Sequence, residues 1–368
     1  MSPPVKRPGH TVFLITSLEG GGAEGVCANI ASGLADQGMS LELIVLHMHN
    51  SVYHNSLSGK VKLTVLGVRQ ARHAFLPLIR YLNSIQPERV VVFNYELAHV
   101  MVLIRPFLRL KFQLIGRNIN TFSANALRQS SSLQRFVVNP IQKFLYSRLD
   151  HVINQCQAMR EDLLVHVPIR PEKTSVIYNA VNRRTGVIAQ SAVPKPEFPG
   201  YILCVGRLEE QKALHRAVDA FSLIRQDFSG LRLRFLGQGS LEKQLKEQAL
   251  HRGVGEWVDF LGFTADPVSH YLGARCVLLT SLYEGFPNVL IEAVTLGVPV
   301  VSVDCPSGPK EIIQPGVNGI LVQGYEPLDI SKALYSCLTK VWTIDKIKRT
   351  ALPYSNAEVI NCWWNFLT

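Results

Sequence analysis

Short apolar runs recur along the chain, separated by stretches in which apolar positions fall at helical spacing. In the first half, Val12 to Ser17, Leu41 to Leu46, Val61 to Val65, Arg89 to Phe93, Phe112 to Gly116, His151 to Asn154 and Ser175 to Tyr178 read as strands. Helices are predicted between them at Gly25 to Gln37, Phe75 to Ile85 and Leu133 to Leu149, the last kinked or divided by Pro140. The second half repeats the rhythm, with strands at Tyr201 to Val205, Leu231 to Leu236, Val258 to Leu261, Cys276 to Ser281 and Val298 to Val303. Its helices are Ala213 to Ile224, one ending at Ala249, and Asn288 to Leu296. Continuous Val-rich strands suit a parallel sheet covered on both faces, and their alternation with helices predicts doubly wound α/β domains. Residues 183–200 hold Pro194, Pro196 and Pro199 without periodicity and read as a linker. That divides the chain into domains at 1–182 and 201–350, with 351–368 as a terminal segment carrying an aromatic helix, Ser355 to Leu367.

With 368 residues and 47% hydrophobic content, the chain can bury two cores. No apolar run reaches the roughly 18 residues of a membrane span, and the N-terminus reads as a polar tail, so a cytoplasmic protein is expected. The seven cysteines are scattered, as reduced core thiols are, and His47 with His49 lacks a third ligand, so no metal site is expected. Charge is lopsided: up to Ala180 there are 19 basic and 10 acidic residues, which accounts for +9 of the net +10. No acidic residue lies between Glu96 and Asp150, where Arg135, Lys143 and Arg148 are interleaved with Phe107, Phe112, Phe136 and Phe144. That composition fits contact with an anionic membrane; a solvated basic face is the plainer reading, and no nucleic-acid module accompanies it.

The stretch Cys276 to Val303 carries the sharpest chemistry. A strand, the turn Tyr283 to Pro287, a helix and a second strand form one crossover, and ligands of such sheets bind beyond the carboxyl ends of the strands. Glu284 falls in the turn and Glu292 about a turn inside the helix, with Pro287 suited to its first position and free N–H groups nearby for an anion. A sugar, a phosphate and a ribose could be held in sequence there. Near the N-terminus, Gly20, Gly22 and Gly25 spell Gly-x-Gly-x-x-Gly between a strand and a helix, which suggests a nicotinamide dinucleotide. That reading needs an acidic residue after the second strand, where Leu46-His47-Met48-His49 stands instead.

Glu284, seven residues, Glu292, with Gly285-Phe286-Pro287 after the first carboxylate, resembles the donor-site motif of family 4 retaining glycosyltransferases of the GT-B fold. Gly206-Arg207-Leu208 followed by Lys212 resembles that family's diphosphate clamp, and Gly20 to Glu24 its opening loop, although Gly25 replaces a common Arg. Ser307-Gly308-Pro309 and Gly316 to Val322 resemble its closing signature, in a form seen in builders of bacterial surface glycans. The resemblance implies two Rossmann-like domains facing a central cleft, the acceptor held by the first and the donor by the second, with the terminal helix crossing back to the first. It implies catalytic roles for Glu284, Arg207 and Lys212. Donor contacts are implied for Glu292, Gly21, Gly22, Gly206, Gly237 and Phe263, and for Gly285, Phe286, Pro287, Asn288 and Val289. Glu24, Arg117 and Asn118 are candidates for gripping donor or acceptor, the last two where many relatives carry a histidine. Gln238 stands where Asp is usual. The implied activity is transfer, with retention and without a metal or other cofactor, from a nucleotide-diphosphate sugar, UDP-sugar favoured. The implied acceptor is a glycan, lipid-linked, in polysaccharide or lipopolysaccharide synthesis, on the inner face of the membrane. A non-catalytic nucleotide-sugar or glycan-binding protein and an NAD-dependent dehydrogenase are the alternatives.

Overall fold

The computed structural model describes residues 9–19, 21–49, 51–119, 121–123, 139–197, 199–264 and 266–368. The chain forms two compact units, one comprising the chain up to Ala180 with Asn356–Thr368, the other Val181–Ser355. Among the described residues of the first unit the strands are β1 (Thr11–Ile15), β2 (Leu41–Val45), β3 (Lys62–Val65), β4 (Arg89–Val92), β5 (Gln113–Arg117), β6 (His151–Asn154) and β7 (Thr174–Val176). They form one parallel sheet in the order β3-β2-β1-β4-β5-β6-β7. The second unit contributes β8 (Tyr201–Val205), β9 (Arg232–Leu236), β10 (Val258–Phe260), β11 (Cys276–Leu279), β12 (Val300–Val303) and β13 (Gly319–Val322). These too are parallel, in the order β10-β9-β8-β11-β12-β13. Strand order reverses between β1 and β4 in the first sheet and between β8 and β11 in the second, the switch points where open α/β sheets leave a crevice.

Pleating divides β1 between two cores: Val12 and Leu14 join one, Phe13 and Ile15 the other. The second core is closed by the terminal helix Asn356–Leu367, whose fully buried Trp363 lies 5.8 Å from the Phe13 ring and 6.3 Å from Phe93. Trp364 packs at the edge of the same core. The helix is tied to Gly22–Asp36, with Asn356 Nδ2 donating to Asn29 Oδ1 at 2.9 Å.

Three expectations require correction. The linker 183–200 opens with a helix, Arg183–Ser191, started by the Asn182 side chain accepting from the Arg184 N–H at 2.9 Å. Thr185 and Ala189, one turn apart, bury its face, and Lys348 Nζ caps its end by donating to the carbonyls of Ala189 and Ala192 at 2.7 and 2.6 Å. The helix expected from Ala213 starts at His215, after a 3-10 turn at Glu210–Lys212. Pro287 caps Asn288–Leu296 from outside; its carbonyl accepts from the Leu290 N–H at 3.0 Å. The described part of the helix expected at Leu133 to Leu149 runs Asn139–Ser147.

Candidate functional site

At the switch point of the second sheet, the loops after β8 and β11 are fastened to each other. Thr280 Oγ1 donates to the Lys212 carbonyl at 2.9 Å, the Leu282 N–H to the Gln211 carbonyl at 2.8 Å, and Gln211 Nε2 to the Tyr283 carbonyl at 3.1 Å. Ala213, fully buried, adopts φ +45° immediately after Lys212, a strained conformation for a residue with a side chain. That turn carries the Lys212 ammonium back over the site. Its Nζ donates to Glu284 Oε1 at 2.6 Å, and Ser281 Oγ donates to the same oxygen at 2.5 Å. Glu284 is buried, yet its Oε2 carries no hydrogen bond from a described residue. One oxygen is tied and the other is open.

The backbone around Glu284 is held by the turn after β12. The Glu284 N–H donates to the Pro306 carbonyl at 3.1 Å, and Ser307 Oγ donates to the carbonyls of Glu284 and Gly285 at 2.8 and 3.0 Å. Gly308 has φ +99°, and a Cβ there would run into Pro287. Phe286 and Pro287 are therefore buried beneath that turn, while Asn288 and Val289 stay half-buried at the helix start.

Glu292 lies in the second turn of Asn288–Leu296 and repeats the pattern. The Tyr271 hydroxyl, from the short helix Val268–Leu272, donates to Glu292 Oε2 at 2.7 Å; Oε1 is unbonded among the described residues. Burial pushes the Glu292 carboxyl up to about 7, with the Tyr271 hydrogen bond opposing the rise. Arg207, in the loop after β8, is exposed, and its guanidinium makes no hydrogen bond or ion pair among the described residues, although its charge is felt by Glu209. Gly206 and Gly237 approach so closely that a Cβ on Gly237 would strike the Gly206 carbonyl. The Gly237 N–H donates to the Gly262 carbonyl at 2.8 Å, and the next residue, Phe263, is 55% exposed. The structure thus joins Lys212, Glu284 and Gly285 through shared bonds, while Arg207 enters none of them. It adds Ser281 and Tyr271, which sequence reasoning missed, and ties Ser307 of the closing signature to the Glu284 loop.

The corresponding edge of the first sheet is built differently. Gly21 caps and Gly22 begins the helix Gly22–Asp36, and the Glu24 carboxylate folds back over Gly21, where a side chain would collide with it. Arg117 and Asn118, expected to grip a ligand, bond into the unit's own interior. Arg117 is 2% exposed, donates from Nη2 to Asn179 Oδ1 at 2.6 Å, and lies over the rings of Trp363 and Phe93 at 5.1 and 5.8 Å. Its Nε and Nη1 are buried without partners, and burial lowers its pKa to about 9. Asn118 donates from Nδ2 to Asn154 Oδ1 at 3.0 Å. Of the basic patch, Arg135 lies outside the described residues. Arg148 is exposed over the Phe144 ring at 4.5 Å, Lys143 is half-buried, and Ile141 and Phe144 are exposed apolar neighbours in sequence. Arg105, which also lies between Glu96 and Asp150, is ion-paired with Asp150 at 2.7 Å. No helix of the described residues is long and apolar enough to cross a membrane.

Residues 20–184 match the family model Glycosyltransferase Family 4, and residues 189–351 match Glycosyl transferases group 1. The chain is 26% identical to the N-acetylgalactosamine-N,N'-diacetylbacillosaminyl-diphospho-undecaprenol 4-alpha-N-acetylgalactosaminyltransferase of Campylobacter jejuni, over 66% of this chain and 73% of that enzyme. It is 33% identical to the lipopolysaccharide 1,6-galactosyltransferase of Salmonella typhimurium, over 42% of this chain and 43% of that one. Its fold superposes on the Anabaena protein HepE, solved with UDP and glucose, with a TM-score of 0.76 at 19% identity, over 97% of this chain and 98% of that chain.

Proposed function

Since the chain belongs to the glycosyltransferases of the GT-B fold, Glycosyltransferase Family 4 in its first half and Glycosyl transferases group 1 in its second, we propose that it transfers a hexose from a UDP-sugar to a glycan acceptor in bacterial surface-glycan synthesis. One observation carries this reading: two carboxylates at the switch point of the second unit, each with one oxygen tied by a neighbour and the other open among the described residues, with an exposed Arg207 in the loop after the first strand of that switch point. The open Glu284 oxygen accepts from sugar hydroxyls and the open Glu292 oxygen from the ribose. Arg207, with the N–H groups that Lys212 does not give to Glu284, receives the diphosphate.

The bond from the anomeric carbon to the diphosphate oxygen breaks, and the acceptor oxygen bonds to that carbon on the same face, so configuration is retained. The acceptor's proton leaves with the diphosphate. Charge grows on the leaving group as the bond breaks, and cations fixed beforehand stabilise it most at that moment. They supply the charge a divalent ion supplies elsewhere, so transfer is expected to persist in EDTA. UDP in the HepE structure supports the choice of base, and the undecaprenol-linked substrate named for the Campylobacter enzyme supports a lipid-linked acceptor. The exposed Ile141 and Phe144, near Lys143 and Arg148 in sequence, support peripheral contact with an anionic membrane. The test is label transfer from radioactive UDP-sugars to a membrane extract, with and without EDTA. Product in both is expected; donor binding without product would favour a glycan-binding protein.

A further inference from the structure

The geometry points to Tyr271 as the positioning residue of the donor site: its hydroxyl fixes Glu292 Oε2 so that Oε1 alone is presented to the ribose. This rests on the reading of Glu292 above. Tyr271 is fully buried, so its ring cannot swing away, and its hydroxyl donates at 2.7 Å to the carboxylate of a neighbouring helix. The Tyr271 pKa is raised well above its usual value by burial first and the Glu292 charge second, so the hydroxyl remains a donor throughout the working range. A half-buried carboxylate with no partner has two equivalent oxygens and would accept ribose hydroxyls with either. Tying one removes that ambiguity before the ligand arrives, and the ordering cost is met in folding.

The same bond keeps Glu292 ionised. Burial favours the neutral acid and brings the carboxyl to about 7; Tyr271 donates only to the charged form's benefit. Four helices pack against Asn288–Leu296: Arg183–Ser191, Val268–Leu272, Pro309–Ile312 and Ile344–Thr350. Lys348 on the last is spent on the carbonyls of Ala189 and Ala192, and Arg184 on Asp266 at 2.7 Å. Neither these nor Arg183, His270, Lys310 or Glu311, nor the other charged groups of Ile344–Thr350, bond to Glu292. Among the described residues, Tyr271 alone bonds to the carboxylate.

The test is calorimetric titration of UDP into wild type, Tyr271→Phe and Glu292→Gln between pH 5.5 and about 9, a range that brackets the Glu292 pKa. Wild-type affinity should fall as pH drops through about 7, because protonation removes the acceptor. In Tyr271→Phe the midpoint should move up by about one to two pH units, the worth of one hydrogen bond to a charged group, and at neutral pH UDP should bind about tenfold weaker. A packing defect alone would weaken binding without moving the midpoint. If Tyr271→Phe does not fold, site-specific 3-fluorotyrosine at position 271, a stronger donor, should move the midpoint down instead. Equal midpoints in wild type and the Tyr271 variant, with Glu292→Gln impaired, overturn the inference alone. Unimpaired UDP binding by Glu292→Gln overturns the reading of the donor site beneath it.

Discussion

At the carboxyl edge of the second unit's sheet, Glu284 and Glu292 each keep one oxygen tied and one open among the described residues, and the exposed Arg207 guanidinium makes no hydrogen bond to any of them. At the same edge of the first unit, Arg117 bonds to Asn179 and Asn118 to Asn154 in the interior, and Arg117 is covered by Trp363 of the terminal helix. Leftover hydrogen-bonding capacity does not by itself separate the two edges, since Arg117 Nε and Nη1 also lack partners among the described residues. What separates them is cover: Arg117 lies beneath Trp363, whereas Arg207 is exposed.

The sharpest way to break this contrast is Glu284→Ala. It should lower kcat/KM by about two to three powers of ten, the worth of one preorganised polar contact, and move the unfolding midpoint far less than changes at Arg117. A folded variant of near wild-type activity would remove the carboxylate from the mechanism. Arg117→Ala should do the reverse and show mainly in stability. It strips Asn179 Oδ1 of its donor and leaves a void under Trp363, a loss of about 2–4 kcal/mol in denaturant unfolding. Arg117→Met should cost less, since it fills the space and also relieves a buried cation that has no counter-charge. Equal losses would mean that packing contributes little there.

These two residues also mark what the sequence could disclose. The helix Asn288–Leu296 and the carboxylates flanking its start followed from local spacing, because turn, helix stop and strand all lie within one crossover. The direction of Arg117 did not. It shares a strand face with Ile115, and that face is sealed by a helix more than 200 residues away, which no local pattern announces. Tyr271 was hidden for the same reason: its hydroxyl finds Glu292 only through the packing of Val268–Leu272 on Asn288–Leu296. The helix Arg183–Ser191 was obscured by the prolines that follow it, although Asn182 and the buried Thr185 and Ala189 supplied its cap and its face.

A smaller effect tests the first unit away from its edge. Glu42, on β2, has its carboxyl lowered to about 2; burial works against this, and hydrogen bonds from His10, Thr64, Tyr81 and Lys62 outweigh it. Because the folded pKa lies below the unfolded one, the stabilisation is complete above about 4.5 and is lost as pH falls through about 2. Wild type should therefore lose about 2 kcal/mol more than Glu42→Gln over that window in acid unfolding. Parallel curves would show the network contributes nothing. Smaller still, Lys143→Glu with Arg148→Glu should weaken salt-reversible binding to vesicles of anionic lipid, at about 1 kcal/mol per removed cation. Indifference to lipid charge in wild type would leave the patch a solvated face.

The central claim, that the second unit's edge holds a nucleotide-diphosphate sugar, is tested most directly by titrating UDP and uridine into wild type and Arg207→Ala. Arg207 is exposed and its guanidinium bonds to no described residue, so its removal should leave the fold and the uridine affinity unchanged. UDP should bind about tenfold to a hundredfold more weakly, the range for hydrogen bonds to a charged group. Equal loss for both ligands, or none for either, would contradict the assignment of this edge to a diphosphate.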